Sequence, residues 1–177
     1  TGPDSPALRA PYRDRPLIVL GRLGINRAIW TAYNRFLCAV DGEYPGGDGY
    51  VVRTAASVLP GGIDHIILGG SSDVGTARAV RRFLKMLESA PVGAGGDLTL
   101  PWLLEVELGG RCRERFDEDE RRWNDDPAQP GFPPFEPGYG TVVRWYYNAM
   151  GYYWSGRESY RRRAAELLDR VVADDAY

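Results

Sequence analysis

Chemistry in this chain would have to come from a short set of residues. Leu68-Gly69-Gly70-Ser71-Ser72-Asp73-Val74-Gly75 is an apolar run that opens through glycines onto a helix start. Amides at such a helix N-terminus can hold a phosphate. The same glycines can equally end a strand and begin a helix packed on a sheet, and that is the preferred reading. Glu43, Asp48, Asp64 and Asp73 fall near expected loop ends. Two carboxylates about 5 or 9 Å apart can run glycoside hydrolysis, but carboxylates at turns and helix starts are more often caps. Trp145, Tyr147 and Trp154 lie off the main stripe of an aromatic-rich helix and are the candidates for glycan contact. Flat aromatic faces stack on sugar rings, and their polar tips reach hydroxyls. His65, between apolar neighbours, reads as structural, and Asp117-Glu118-Asp119-Glu120 as a solvated run. None of these groups assigns a catalytic residue.

Composition narrows the field further. The chain has 177 residues with Lys+Arg 22 against Asp+Glu 24, a net charge of −2, so no global field favours nucleic acid. Hydrophobic residues at 44% exclude wholesale disorder. No apolar run reaches the roughly 20 residues of a membrane helix. One histidine and two cysteines make no metal framework, so neither a metal nor a cofactor is expected. Cys38 and Cys112 allow one disulfide or two separate buried thiols. Lys85 is the only lysine, and the remaining basic side chains are arginines. Arginine forks suit carboxylates such as those of acidic sugars, although a GC-rich genome gives the same bias.

The elements that must position these residues follow from periodicity. After a polar lead over 1–15, Leu17-Ile18-Val19-Leu20 reads as a buried strand. A helix capped by Asn26 follows, with Ile29, Ala32, Tyr33, Phe36, Leu37 and Val40 inward. Tyr50–Ala55 and His65–Leu68 read as strands. Ser72 or Asp73 caps a second helix, with Val74, Ala77, Val80, Phe83, Leu84 and Leu87 inward. Leu98–Leu108 is extended and broken at Pro101; Arg111–Trp123 is a charged helix; 124–140 is Pro/Gly loop. Val142–Trp154 carries a stripe of Val142, Tyr146, Ala149, Met150 and Tyr153. Glu158–Ala173 carries Tyr160, Ala164, Leu167, Leu168 and Val171, so the two form a helical hairpin. The expected class is α+β: a small two-layer β-α-β-β-α domain over 16–108, a charged helix and Pro/Gly-rich linker over 109–140, and a C-terminal helical hairpin over 141–177.

Some stretches resemble known families. The loop from Gly69 to Gly75 looks like that of short-chain dehydrogenases. It lies too far along the chain for them, however, and no Tyr-x-x-x-Lys pair accompanies Lys85. Gly49-Tyr50-Val51-Val52-Arg53, then Ile66-Ile67-Leu68-Gly69-Gly70 and the helix through Phe83-Leu84, resembles the small α+β accessory domain of β-hexosaminidases and α-glucuronidases. That domain carries no catalytic residues in those enzymes. Met150-Gly151-Tyr152-Tyr153-Trp154-Ser155-Gly156-Arg157-Glu158-Ser159-Tyr160, followed by Ala164-Ala165-Glu166-Leu167-Leu168, is similar to a repeat of (α/α) toroid enzymes of the polysaccharide-lyase kind. Ser155 and Arg157 stand where Thr and Asp are common. Together the two likenesses imply a noncatalytic N-terminal region of an extracellular or periplasmic polysaccharide-active protein. Its partners would be the rest of that protein and polysaccharide. A self-assembling structural subunit is the alternative.

Overall fold

The computed structural model describes residues 15–59, 61–125 and 139–173. Most of the lead, and the loop over 126–138, lie outside the described residues. The protein is mixed α+β and divides into two units, 1–113 and 114–177.

In the first unit, apolar and β-branched runs form β1 (Leu17–Leu20), β2 (Tyr50–Leu59), β3 (Ile63–Gly70) and β4 (Leu104–Glu107). They make one sheet in the order β1-β3-β2-β4, parallel between β1 and β3 and antiparallel elsewhere. Both faces of the central strands are buried. Val51, Ala55 and Ile67 join Val19, Ile29, Ala32, Cys38 and Val40 on one face. Val52 and Leu68 join Ala79, Phe83 and Leu103 on the other. That double burial explains the near-continuous apolar runs in β2 and β3.

The helix after β1 is much shorter than its periodicity predicts. Only Ile29–Asn34 is α-helical, here α1. Phe36 takes a left-handed conformation (φ 56°), which ends the helix and leaves its ring 79% exposed. Arg35 donates to the carbonyls of Ser57 and Val58 and ties this reversal to β2. Asn26 does not cap α1. Its side chain accepts from the Ala28 amide and donates to the Leu20 carbonyl, bracing the turn before the helix.

The helix after β3, α2 (Asp73–Glu88), is capped by Ser72, whose hydroxyl accepts from the Gly75 amide. Its inward stripe is Gly75, Ala79 and Phe83, whereas Val74, Ala77 and Leu84 are exposed. Of the predicted stripe, Phe83 is buried and Val80 and Leu87 pack against the same core, while Gly75 and Ala79 take the inward places expected of Val74 and Ala77. The reason is backbone packing at the helix start: Gly75 lies against both Gly70 and the Gly49 carbonyl, which turns that position onto the sheet. The predicted extended segment over 98–108 reduces to β4, preceded by one isolated bridge between Val92 and Leu98.

The charged helix α3 runs over Gly110–Asp125 and crosses the division between the units. In the second unit, α4 (Tyr139–Ser155) and α5 (Glu158–Ala173) are joined by the two residues Gly156 and Arg157, with Gly156 left-handed. Tyr160, Ala164 and Leu167 form the buried stripe of α5; Leu168 is exposed. On α4 the buried positions are Asn148 and Ser155, and Gly151 lies against the Tyr160 ring. Tyr146, predicted inward, is exposed. The side chains of Val142 and Val171 lie outside the described residues. Small residues bring α4 and α5 together, so the bulky aromatics cannot occupy the contact stripe.

Candidate functional sites

The glycine loop is a packing device. A Cβ on Gly75 would fall on the Gly49 carbonyl, one on Gly70 on the backbone of Gly75, and one on Gly69 at 2.6 Å from the Gly21 carbonyl. At the helix start the Ser72 hydroxyl holds the Gly75 amide, and the Thr76 amide makes the first helical bond, to the Ser72 carbonyl. The Ser72 hydroxyl in turn donates to Asp48 (2.8 Å), and Asp73 pairs with Arg22 (3.0 Å). Two carboxylates at this helix start oppose a phosphate there.

Asp64 lies apart from Asp48 and Asp73. Asp64 accepts from the Ser57 amide at the start of β3, while Asp48 and Asp73 sit beyond its other end. Six residues of strand separate those ends, about 20 Å. Glu43 contributes its carbonyl, which accepts from the Cys112 thiol. Cys38 and Cys112 are separate thiols in this structure. Cys38 is buried in the core, which pushes its thiol up from its ordinary value. His65 is buried in β3 and its Nδ1 meets no hydrogen-bond partner.

The acidic run on α3 is not simply solvated. Arg157 donates to Asp117 (2.5 Å) and Glu120 (2.6 Å), the Ser159 hydroxyl donates to Glu120, and Phe116 meets Tyr160 edge-on at 6.0 Å. Burial would lower the basicity of Arg157, but its two carboxylates outweigh that and raise it. Sequence reasoning missed this clamp, although Arg157 stands where toroid repeats carry an acid. Among the described residues no cluster of His, Cys, Asp and Glu is suited to hold a metal, and no helix is long and apolar enough to cross a membrane.

The three glycan candidates share α4 but not one environment. Tyr147 is exposed, while Trp145 and Trp154 are half-buried. Tyr146 stands edge-on to Tyr147 with centroids 5.7 Å apart, and Tyr153 to Trp154 at 4.7 Å. The accessible aromatic patch is thus Tyr146 with Tyr147, and Tyr146 was the member the sequence placed inside.

A second feature was not anticipated. Along the β4 side of α2 runs a groove of about 380 Å³ lined by Tyr50, Val74, Arg78, Arg81, Arg82, Lys85 and Glu107. Arg78 grips both oxygens of Glu107 (2.7 and 2.8 Å), and Arg82 both oxygens of Glu105 (2.7 and 2.8 Å). Tyr50 donates to Glu105 at 2.6 Å. Burial alone would raise Glu105, but the bonds from Arg82 and Tyr50 prevail and hold it below the usual carboxylate range. Burial and the Glu105 contact push Tyr50 up to about 12.

These shifts set a pH dependence. Glu105, lowered in the fold, contributes stability above its unfolded value of 4.5 that is lost as pH falls through its folded value. Glu105→Gln is expected to flatten the acid limb of the stability curve, measured by urea unfolding between pH 6 and about 3. At the alkaline end, Tyr50 and Tyr160 both lie near 12, so their contribution holds below the ordinary tyrosine value of 10 and is lost above it. Tyr33, hydrogen-bonded to Asp41, is raised as well, so phenolate absorbance should show Tyr33, Tyr50 and Tyr160 titrating late in the folded chain.

No protein-family model matches the chain, and no curated protein or solved structure matches it either.

Proposed function

We propose that the chain is a noncatalytic region of an extracellular polysaccharide-active protein of the lyase or glycoside hydrolase type. In this reading the α/β unit braces the catalytic body, and the α4–α5 hairpin begins that body and touches glycan. The observation that carries the reading is the orientation of α4. Asn148, Gly151 and Ser155 face its own core, and Tyr146 and Tyr147 are left 53% and 46% exposed. Adjacent exposed tyrosines offer ring faces to sugars and hydroxyls to their polar edges.

Tyr147→Ala tests this. The wild-type chain is expected to be retarded in native gels containing a soluble polysaccharide, and the variant to lose most of that retardation. Its melting temperature should stay within about 1–2 °C, as for other surface substitutions. Unretarded migration of the wild type in every neutral and acidic polysaccharide would sink the reading.

A self-assembling subunit is the second reading, and one observation favours it. β1 is an outer strand, and its Ile18 (56%) and Leu20 (46%) are exposed. An apolar edge of this kind is a template for pairing with another copy. Growth of the scattering mass with concentration, abolished by Ile18→Lys, is the outcome that reading requires.

A further inference from the structure

We infer that the α2–β4 groove is a second sugar contact, one that takes the carboxylate or sulfate group of an acidic saccharide. This rests on the proposed glycan-active role but concerns the other unit and different chemistry. Arg78, Arg81, Arg82 and Lys85 line one open groove along α2. Seven helical residues from first to last span about 10 Å.

The four cations are in two different states. Arg78 and Arg82 are each fixed by a two-pronged bond to a β4 glutamate, and Arg78 also donates to the Asp48 carbonyl at 2.8 Å. Arg113, 3.6 Å from Glu107, adds a further cation to that carboxylate. Arg81 reaches only the Ala77 carbonyl, at 3.3 Å, and among the described residues neither Arg81 nor Lys85 meets a carboxylate. Five basic groups therefore stand against three carboxylates, those of Glu105, Glu107 and Asp48, in a chain whose net charge is −2. The local excess is positive and lies on Arg81 and Lys85, beside Arg78 and Arg82 that are already held in place, so an anion need order only the first two.

The shape and lining narrow the ligand. A volume near 380 Å³ is at the small end for ligand sites, suited to a ring-sized group. Tyr50, with Arg78 stacked 5.3 Å from its ring centre, and Val74 supply apolar surface between the charges. Guanidinium forks match the planar carboxylate of a uronate and the oxygens of a sulfate ester.

Lys85 gives a direct readout, because it is the only lysine in the chain. An amine-reactive label mapped by peptide mass spectrometry reports on it separately from the N-terminus. The probes are a uronic-acid oligosaccharide, a sulfated one, a neutral one of equal length, and a single-stranded oligonucleotide of equal charge. The acidic saccharides are expected to protect Lys85 in the wild-type chain at low salt, and the neutral one to leave it reactive. Whichever acidic saccharide protects more identifies the anion. Arg81→Ser with Lys85→Ser is expected to weaken the acidic saccharides about tenfold, a loss that shrinks as salt screens the groove. Binding of the neutral saccharide to α4 should be unchanged. Equal protection by the oligonucleotide, or acidic binding untouched by the double substitution, overturns the inference while glycan binding stands. If no saccharide binds at all, the proposed function falls first.

Discussion

Gly75→Ala is expected to lower the melting temperature by about 10 °C. Alanine normally favours a helix over glycine by roughly 1 kcal/mol. Here the added carbon would strike the Gly49 carbonyl far inside the 3.0 Å that real Cβ contacts keep, and Gly70 lies at 3.2 Å. Gly49 is itself wedged against the Glu107 carbonyl, so it has nowhere to retreat. Overpacking against backbone costs about 3 kcal/mol, which in a chain of this size is about 10 °C. Gly24→Ala is the control, since nothing lies within 4 Å of that position. It should change stability by less than about 0.5 kcal/mol. Differential scanning calorimetry of both variants decides the matter. A harmless Gly75→Ala would mean that the loop is not closed on itself, and the dinucleotide-like reading of these glycines would return.

Arg157→Ala is expected to destabilise the second unit by about 2–3 kcal/mol. Its guanidinium joins Asp117 and Glu120 on α3 to the turn between α4 and α5, with Arg157 and Glu120 each under a quarter exposed. Charge-assisted bonds of this kind contribute about 1.5–3 kcal/mol together, and the half-exposed Asp117 weakens one of them. Removing the cation also leaves Asp117, Glu118, Asp119 and Glu120 to repel one another. Arg157→Lys should recover only part of the loss, because an ammonium cannot hold two carboxylates in the geometry of a fork. Urea unfolding followed by helical circular dichroism measures both. Equal stability of the alanine variant and wild type would show that α3 does not depend on this clamp.

The two predictions also mark where the sequence was legible. Strands β2 and β3 could be read directly because double burial leaves a plain local signal, and the cap of α2 could be narrowed to Ser72 or Asp73, of which Ser72 is the one. The α5 stripe Tyr160, Ala164 and Leu167 followed from period alone. What failed depended on contacts between distant segments. The first turn of α2 faces inward at Gly75 rather than Val74 because Gly75 lies against Gly49, which no helical period records. The early end of α1 comes from a left-handed Phe36 tied to β2 through Arg35. On α4 the largest apolar residues suggested the inward face, yet Gly151 against Tyr160 sets a close approach that excludes them.

The candidate sites were legible to the same extent. Tyr147 could be picked out as off the stripe, but its partner Tyr146 depended on the true phase of α4. The α2 groove was hidden because its acids come from β4, more than 20 residues from the arginines they hold. Only the unusual arginine content hinted at it, and that hint had an ordinary genomic explanation.

The measurement that bears most directly on the central claim is a calorimetric titration of the purified chain with size-defined oligosaccharides, with scattering mass followed on the same sample. Saturable heat from a chain that stays at 19.7 kDa is the predicted result. No heat with any oligosaccharide, and a mass that climbs with concentration, would contradict the glycan-active reading and leave self-assembly in its place.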